Sequence, residues 1–207
     1  MDHVEKLPLP KIVLFDIGNI FMTYDRVLTR VAQDFSLNFD QFSDFEEIFD
    51  IDANLGKIDI PDVWQKFITK YHLNNAAKYN LISSWVSDYF PILPLHALSV
   101  KISQKYHVGI LSNYYRDFFK ECLSQKFIPD LPFNPVIISA EVGIMKPDRS
   151  IYEIARTKSG FSGDEIFYID DKVENLLIPQ SLGWQTFQFD HHQPDSSCAE
   201  IAKLLKL

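Results

Sequence analysis

Three short apolar runs in this chain end on side chains that can do chemistry. Asp16 follows Ile12, Val13, Leu14 and Phe15; Ser112 and Asn113 follow His107 to Leu111; Asp170 and Asp171 follow Ile166 to Ile169. Lys146, with Pro147 behind it, lies between the second and third of these. Runs of this length with β-branched and aromatic members are too short for a buried helix and suit strands covered on both faces. A polar residue at the carboxyl end of such a strand stands where open α/β sheets bind ligands. Gly18, two residues beyond Asp16, breaks the pattern and opens the strand into a loop. Taken singly, Asp16, Ser112 and the acidic pair serve equally well as turn or helix caps, and Lys146 as a solvated lysine. In parallel strands, however, Asp16, Ser112 and the Asp170–Asp171 pair emerge on one sheet edge, with Lys146 delivered from a loop above it.

The elements that must position these groups alternate. After Pro94 the pattern predicts a helix over Leu95–Tyr106, a strand over His107–Leu111, a helix near Tyr115–Leu123, a strand over Val136–Ile138, a helix over Ser150–Thr157, a strand over Ile166–Ile169, a helix from Val173 that Pro179 kinks or shortens, and a strand over Gln185–Phe189. A final amphipathic helix, Cys198–Leu205, is expected on the sheet's edge. Such alternation argues for βαβ units. Between the first strand and Pro94 the chain is helical in period: Val27, Leu28, Val31, Ala32 and Phe35; Phe42, Phe45, Ile48 and Phe49; Val63, Trp64, Phe67, Ile68 and Tyr71; Leu81, Ile82, Trp85, Val86 and Tyr89. The expected fold is therefore α/β, a Rossmann-like parallel sheet with helices on both faces, made by residues 1–20 and 93–207, with a helical-bundle cap inserted at 21–92.

Composition narrows the function. The 207 residues, 46% hydrophobic, can bury a proper core. Acidic residues outnumber basic ones 28 to 20, a net charge of −8 without long runs of one sign, which argues against a nucleic-acid surface and requires a local cation for any anionic substrate. Cys122 and Cys198 stand far apart without metal-ligand spacing, so neither a disulfide framework nor a zinc site is expected, and a reducing cytoplasm fits. Met1 to Lys11 does not read as a signal peptide, and no segment is long enough to span a membrane. Asp50, Asp52, Asn54, Gly56 and Asp59 resemble a calcium loop, but its sixth and twelfth places hold Leu55 and Pro61, so a polar turn is expected, with Gly56 ending one helix and Asp59 capping the next. His191 and His192 read as solvated neighbours.

In this order the motifs F-D-I-G-N, I-L-S-N, M-K-P-D and Y-I-D-D-K-V-E-N resemble the haloacid dehalogenase superfamily over nearly the whole chain, with that family's cap where the bundle is placed. The D-x-G-N form of the first motif is similar to sugar phosphatases of the α-D-glucose-1-phosphate phosphatase type. The resemblance implies a magnesium-dependent phosphatase acting on a small phosphorylated metabolite, a sugar phosphate among the candidates, as a monomer or homodimer. It implies that Asp16 attacks phosphorus and carries an aspartyl phosphate. A carboxylate oxygen of Asp16, the carbonyl of Gly18 and Asp171 would hold magnesium, with Asp170 orienting a water and Asn175 helping to position the shell. Ser112, the amide of Asn113 and Lys146 would meet the phosphoryl oxygens, and Tyr24, Asp25 and Trp64 of the cap would choose the substrate.

Rival readings make distinct expectations. A receiver domain gathers similar groups, but its acidic pair comes first in the chain and it lacks the insertion. A metal-free haloacid dehalogenase shares the nucleophile, serine and lysine, yet Asp170 and Asp171 would repel a carboxylate substrate. A catalytically impaired binding or regulatory protein is the third, because most phosphatases of the resembled family carry a second aspartate where Gly18 stands. That aspartate protonates the leaving group, leaving here Asp25, a water on the metal or the substrate itself to do so. A substrate whose leaving oxygen needs little protonation, such as an anomeric sugar 1-phosphate, is then expected to be preferred.

Overall fold

The computed structural model describes residues 8–24, 32–38, 49–74 and 76–207. Its strands are β1 (Ile12–Phe15), β2 (Met22–Thr23), β3 (Phe90–Pro91), β4 (His107–Ser112), β5 (Val136–Ile138), β6 (Ile166–Asp170) and β7 (Gln185–Gln188). Five of them form one sheet in the order β5-β4-β1-β6-β7, every pair parallel. β1 is its middle. The residues of β1 are at most 1% exposed and alternate in direction. Ile12 and Leu14 join one core cluster with Tyr152, Tyr168 and Trp184, while Val13 and Phe15 join the other with Phe167 and Ile201. A strand apolar on both faces finds its lowest free energy between two helical layers, the expected Rossmann-like arrangement.

The chain runs outward from β1 through β4 to β5, then returns to place β6 and β7 on the other side. Counted within the sheet this is the order 3-2-1-4-5. It differs from the 2-1-3-4-5 order of the receiver-type fold, and its reversal beside β1 opens the crevice in which such sheets bind ligands. Register fixes what meets there. Phe15 pairs with Ile110 on one side and Ile169 on the other, and the Asp16 N–H donates to the Ile169 carbonyl at 2.9 Å. Asp16, Ser112 and Asp170 thus leave adjacent strands near one level.

Several elements differ from the sequence expectation. The helix after β6, Val173–Ser181, does contain Pro179 and ends two residues later. The last helix starts at Pro194, where a proline suits the first turn, and packs on the helix Leu93–Ser103 instead of the sheet edge, with the Tyr106 hydroxyl donating to the Leu205 carbonyl at 2.6 Å. A short helix, Ser139–Val142, and the antiparallel β2–β3 pair were not foreseen; both are too short to carry a period. In the region expected to form the cap, Ile60–Tyr71 buries Ile60, Val63, Trp64 and Phe67, and Leu81–Val86 buries Leu81, Trp85 and Val86. Gly56 takes φ of +66°, as its turn requires, and Asp59 is the N-cap of Ile60–Tyr71 without a side-chain cap bond. Val27, Leu28, Val31, Phe42, Phe45 and Ile48 lie outside the described residues.

Gly109 shows how tightly the site's scaffold is packed. A Cβ there would lie 2.7 Å from Leu14 Cδ2 and 2.8 Å from the Pro135 carbonyl oxygen. The Gly109→Ala variant is therefore expected to lose about 1–3 kcal/mol of stability, read from the urea midpoint; an unchanged midpoint would show that β1, β4 and the Pro135 turn shift apart without cost.

Candidate active site

The crevice at the C-terminal edge opens into a cavity of about 550 Å³ lined by Asp16, Gly18, Asn113, Lys146 and Asp171 among others. Ser112 and Asp170 stand just behind its wall, 1% and 0% exposed. The structure therefore gathers Asp16, Gly18, Ser112, Asn113, Lys146, Asp170 and Asp171, all expected from sequence. Asp25 lies outside the described residues. Trp64 is buried among Phe35, Phe67 and Tyr79, and does not line the cavity.

Lys146 is the electrostatic hub. Its ammonium, 2% exposed as a residue, lies 2.6 Å from Asp170 Oδ2 and 2.9 Å from Asp16 Oδ1. The second contact is an ion pair without hydrogen-bond alignment, so Asp16 Oδ1 keeps an unused lone pair in a buried setting. The loop delivers this lysine through a paired contact. Asn113 Nδ2 donates to the Lys146 carbonyl at 2.9 Å, and the Lys146 N–H donates back to Asn113 Oδ1 at 2.7 Å. Asn113 is thus tied by its side chain to the lysine that follows it by 33 residues.

Asp170 is saturated. Its Oδ2 accepts from Lys146 and from the Tyr168 hydroxyl at 2.5 Å, while Oδ1 accepts from the Lys172 N–H at 2.9 Å and from Asn175 Nδ2 at 3.0 Å. Asn175 is itself held, its carbonyl accepting from the Tyr152 hydroxyl at 2.9 Å. Asp171 instead faces the cavity and accepts from Asn19 Nδ2 at 2.9 Å. Tyr168 and Asn19 are the residues that sequence reasoning missed. Asn19 had a signal, the last letter of F-D-I-G-N; Tyr168 sits within an apolar run and reads as core.

The charges perturb one another. Burial pushes the Asp16 carboxyl up to about 6, helped by the Asp170 charge and opposed by Lys146 and a hydrogen bond from Ser112. Burial also works against the ionised forms of Lys146 and Asp170, but Asp16 and Asp170 together hold the lysine up, and Lys146 with hydrogen bonds from Tyr168 and Lys172 holds Asp170 down. Ligand oxygens of Asp16, Asp170 and Asp171 lie within 4.8 Å of one another. One buried ammonium cannot balance three carboxylates so close together. The surplus negative charge, the unaligned Asp16 Oδ1 and the all-oxygen donor set fit a hard divalent cation such as magnesium.

The far wall of the cavity comes from other segments. Tyr24, Ile51, Asn54, Trp85, Tyr89 and Tyr115 face the carboxylates, and Ile51 is 61% exposed. The Tyr115 hydroxyl donates to Asp50 Oδ1 at 2.5 Å, and Arg116 spans the Gly56 and Ala140 carbonyls at 3.1 and 3.3 Å while lying 3.6 Å from Asp59 Oδ1. The acidic residues that mimic a calcium loop thus turn to different partners, Asp52 pairing with Lys57 at 3.3 Å.

Residues 95–188 match the family model described as haloacid dehalogenase-like hydrolase. The match covers less than half of the chain, and over it the chain resembles the haloacid dehalogenase-like hydrolases. Among curated relatives, a sesquiterpene phosphatase of Aspergillus oryzae is 24% identical over 202 residues, covering 94% of this chain and 96% of the fungal protein. Acyl-CoA dehydrogenase family member 10 of Mus musculus is 28% identical over 127 residues, 60% of this chain, which spans only 11% of the mouse protein's length. A solved haloacid dehalogenase family enzyme from Bacteroides thetaiotaomicron, an aspartate-to-alanine mutant in complex with magnesium and inorganic phosphate, superposes with a TM-score of 0.69 at 25% identity over 88% of this chain and 95% of its own chain. A defluorinating L-2-haloacid dehalogenase shares the fold, with a TM-score of 0.68 at 15% identity over 96% of each chain. No helix among the described residues is long and apolar enough to cross a membrane.

Removing Lys146 leaves two buried carboxylates facing each other, so Lys146→Met is expected to cost about 3–5 kcal/mol near neutral pH. Asp16 supplies the sign of the pH effect. Its folded value of about 6 exceeds the ordinary 3.8, so its contribution to stability is complete below about 4 and is lost as pH rises through about 6. Urea titrations in chelator should show that decline in the wild type and a flatter profile in Asp16→Asn; parallel profiles would disprove the raised carboxyl.

Proposed function

We propose that this hydrolase is a magnesium-dependent phosphatase of small phosphomonoesters that works through an aspartyl phosphate on Asp16. The observation that carries the reading is the cluster of three carboxylates around one buried lysine at the mouth of a cavity. A haloacid would bring a carboxylate to an edge already short of positive charge. A phosphomonoester that arrives with a divalent cation corrects that shortage.

Asp16, Asp171 and the Gly18 carbonyl would hold the cation, whose chemistry is to neutralise phosphoryl oxygens and lower the barrier to an anionic nucleophile. The protein does the rest. Asp16, ionised at neutral pH, attacks phosphorus with a carboxylate oxygen; the new O–P bond forms as the bond to the leaving oxygen breaks. Lys146 offsets the repulsion between this carboxylate and the substrate, while Ser112 and the Asn113 amide orient the phosphoryl oxygens. Asp170 and Asn175 keep Lys146 and the loop after β6 in place, and Asn19 holds Asp171. Water then attacks the acyl phosphate and Asp16 is regenerated. The segment 21–92 acts as a cap that walls the cavity and excludes water during the first step.

Purified protein should release phosphate from small phosphomonoesters only with magnesium, and Asp16→Asn should abolish release while staying folded. Undiminished turnover in chelator, or an active variant, would sink the reading. The cap is tested at its exposed apolar residue: Ile51→Asn should change the ratio of kcat/KM between bulky and compact leaving groups by about 10-fold, and an unchanged ratio would leave the cap without a part in selection.

A further inference from the structure

The phosphatase reading needs a proton for the leaving oxygen, and Asp16, as nucleophile, cannot give it. Gly18 has no side chain to offer. The structure fills the space above it with Tyr24. A Cβ placed on Gly18 would lie 3.0 Å from Tyr24 Oη, 3.0 Å from Cε1 and 3.4 Å from Cζ, so the phenol rests directly on the Gly18 backbone, two residues beyond Asp16 and on the wall of the same cavity. Its ring leans on Tyr89, with centroids 5.9 Å apart, and the residue remains 41% exposed. Among the described residues, Tyr115 donates to Asp50 Oδ1 and Tyr114 is buried with its hydroxyl 3.1 Å from Cys122 Sγ. Lys146 is held between two carboxylates.

We infer that Tyr24, seated over Gly18 by β2, is the proton donor to the leaving group and the base for the second step. As the bond from phosphorus to the leaving oxygen breaks, the Tyr24 O–H proton passes to that oxygen, leaving a phenolate. A phenol gives its proton to an alkoxide, which binds it far more tightly. In the second step the phenolate takes a proton from the attacking water as the water oxygen bonds to phosphorus and the bond to Asp16 breaks. One turnover returns the tyrosine, the carboxylate and a released phosphate, with no other reactant. Simple alkyl phosphates then become competent substrates, in contrast to the sequence-based preference for leaving groups that need no proton.

This inference rests on the phosphatase reading, and a leaving-group series separates the two. With magnesium, Tyr24→Phe should lower kcat/KM for an alkyl phosphate by about 10²-fold or more, change that for 4-nitrophenyl phosphate by less than about 3-fold, and steepen the dependence of rate on leaving-group pKa. Asp16→Asn should abolish both reactions. Replacement of Gly18 by aspartate alone meets the phenol, so the restoring variant is Gly18→Asp in a Tyr24→Ala background, which should recover alkyl phosphate turnover relative to Tyr24→Ala. Equal losses on both substrates in Tyr24→Phe, or no loss on either, would overturn the assignment while leaving the phosphatase reading intact. A wild type that hydrolyses neither substrate would overturn both.

Discussion

The ammonium of Lys146 is the constraint on which the rest of the site depends. It stands between Asp16 and Asp170 at 2.9 and 2.6 Å with almost no access to water. Two carboxylates this close and this buried could not both ionise without it. The lysine in turn stays charged only because both carboxylates surround it. Around this triad the protein spends its other polar groups on Asp170, through Tyr168, Lys172 and Asn175, and leaves Asp16 with an oxygen lacking hydrogen-bond alignment. The asymmetry has a chemical meaning: a carboxylate whose lone pairs are all engaged is a fixture, and one with a free lone pair can attack or bind a cation.

Such a cluster needs a scaffold that resists relaxation. β1 supplies it, buried on both faces and hydrogen-bonded on both edges, so Asp16 cannot move without breaking the register with Phe167–Ile169 and Val108–Ile110. The loop carrying Lys146 has no strand to hold it. Its position comes from the reciprocal side-chain bonds with Asn113, which couple it to the end of β4. Two parts of the site that lie far apart in sequence are in this way held by one amide.

The wall opposite the carboxylates is attached differently. Among the described residues its links to the sheet-bearing part are polar, Arg116 to the Gly56 carbonyl and Asp59, Tyr115 to Asp50 and Gln125 Nε2 to the Ser83 carbonyl at 3.3 Å, and aromatic, Trp85 against Phe118 and Tyr89 against Phe127 with centroids 5.6 and 5.8 Å apart. The half-exposed ion pair of Arg116 with Asp59 contributes little, whereas Trp85 and Phe118 are buried in the common core. Together these links set where Trp85 and Tyr89 stand on the cavity wall, as the ladder of β1 sets where Asp16 stands.

Much of this was legible in the sequence, and for a physical reason. Strands buried on both faces must be short and continuously apolar, so Ile12–Phe15, His107–Leu111 and Ile166–Ile169 announce themselves, and the polar residue that follows each run is placed on the ligand-binding edge by the parallel topology alone. Asp16, Ser112, Asp170 and Asp171 follow from that, as does the alternation that makes the α/β core. What the sequence alone could not show is how the ends meet. That Asn113 holds Lys146, that Tyr168 turns its hydroxyl from the core toward Asp170, that Asn19 supports Asp171, and that Tyr24 covers the bare backbone of Gly18 are all contacts between residues remote in the chain or hidden in apolar surroundings. Local pattern encodes burial and period; only the tertiary structure decides which side-chain atoms come within hydrogen-bonding distance, because that depends on register, loop path and packing summed over the whole fold.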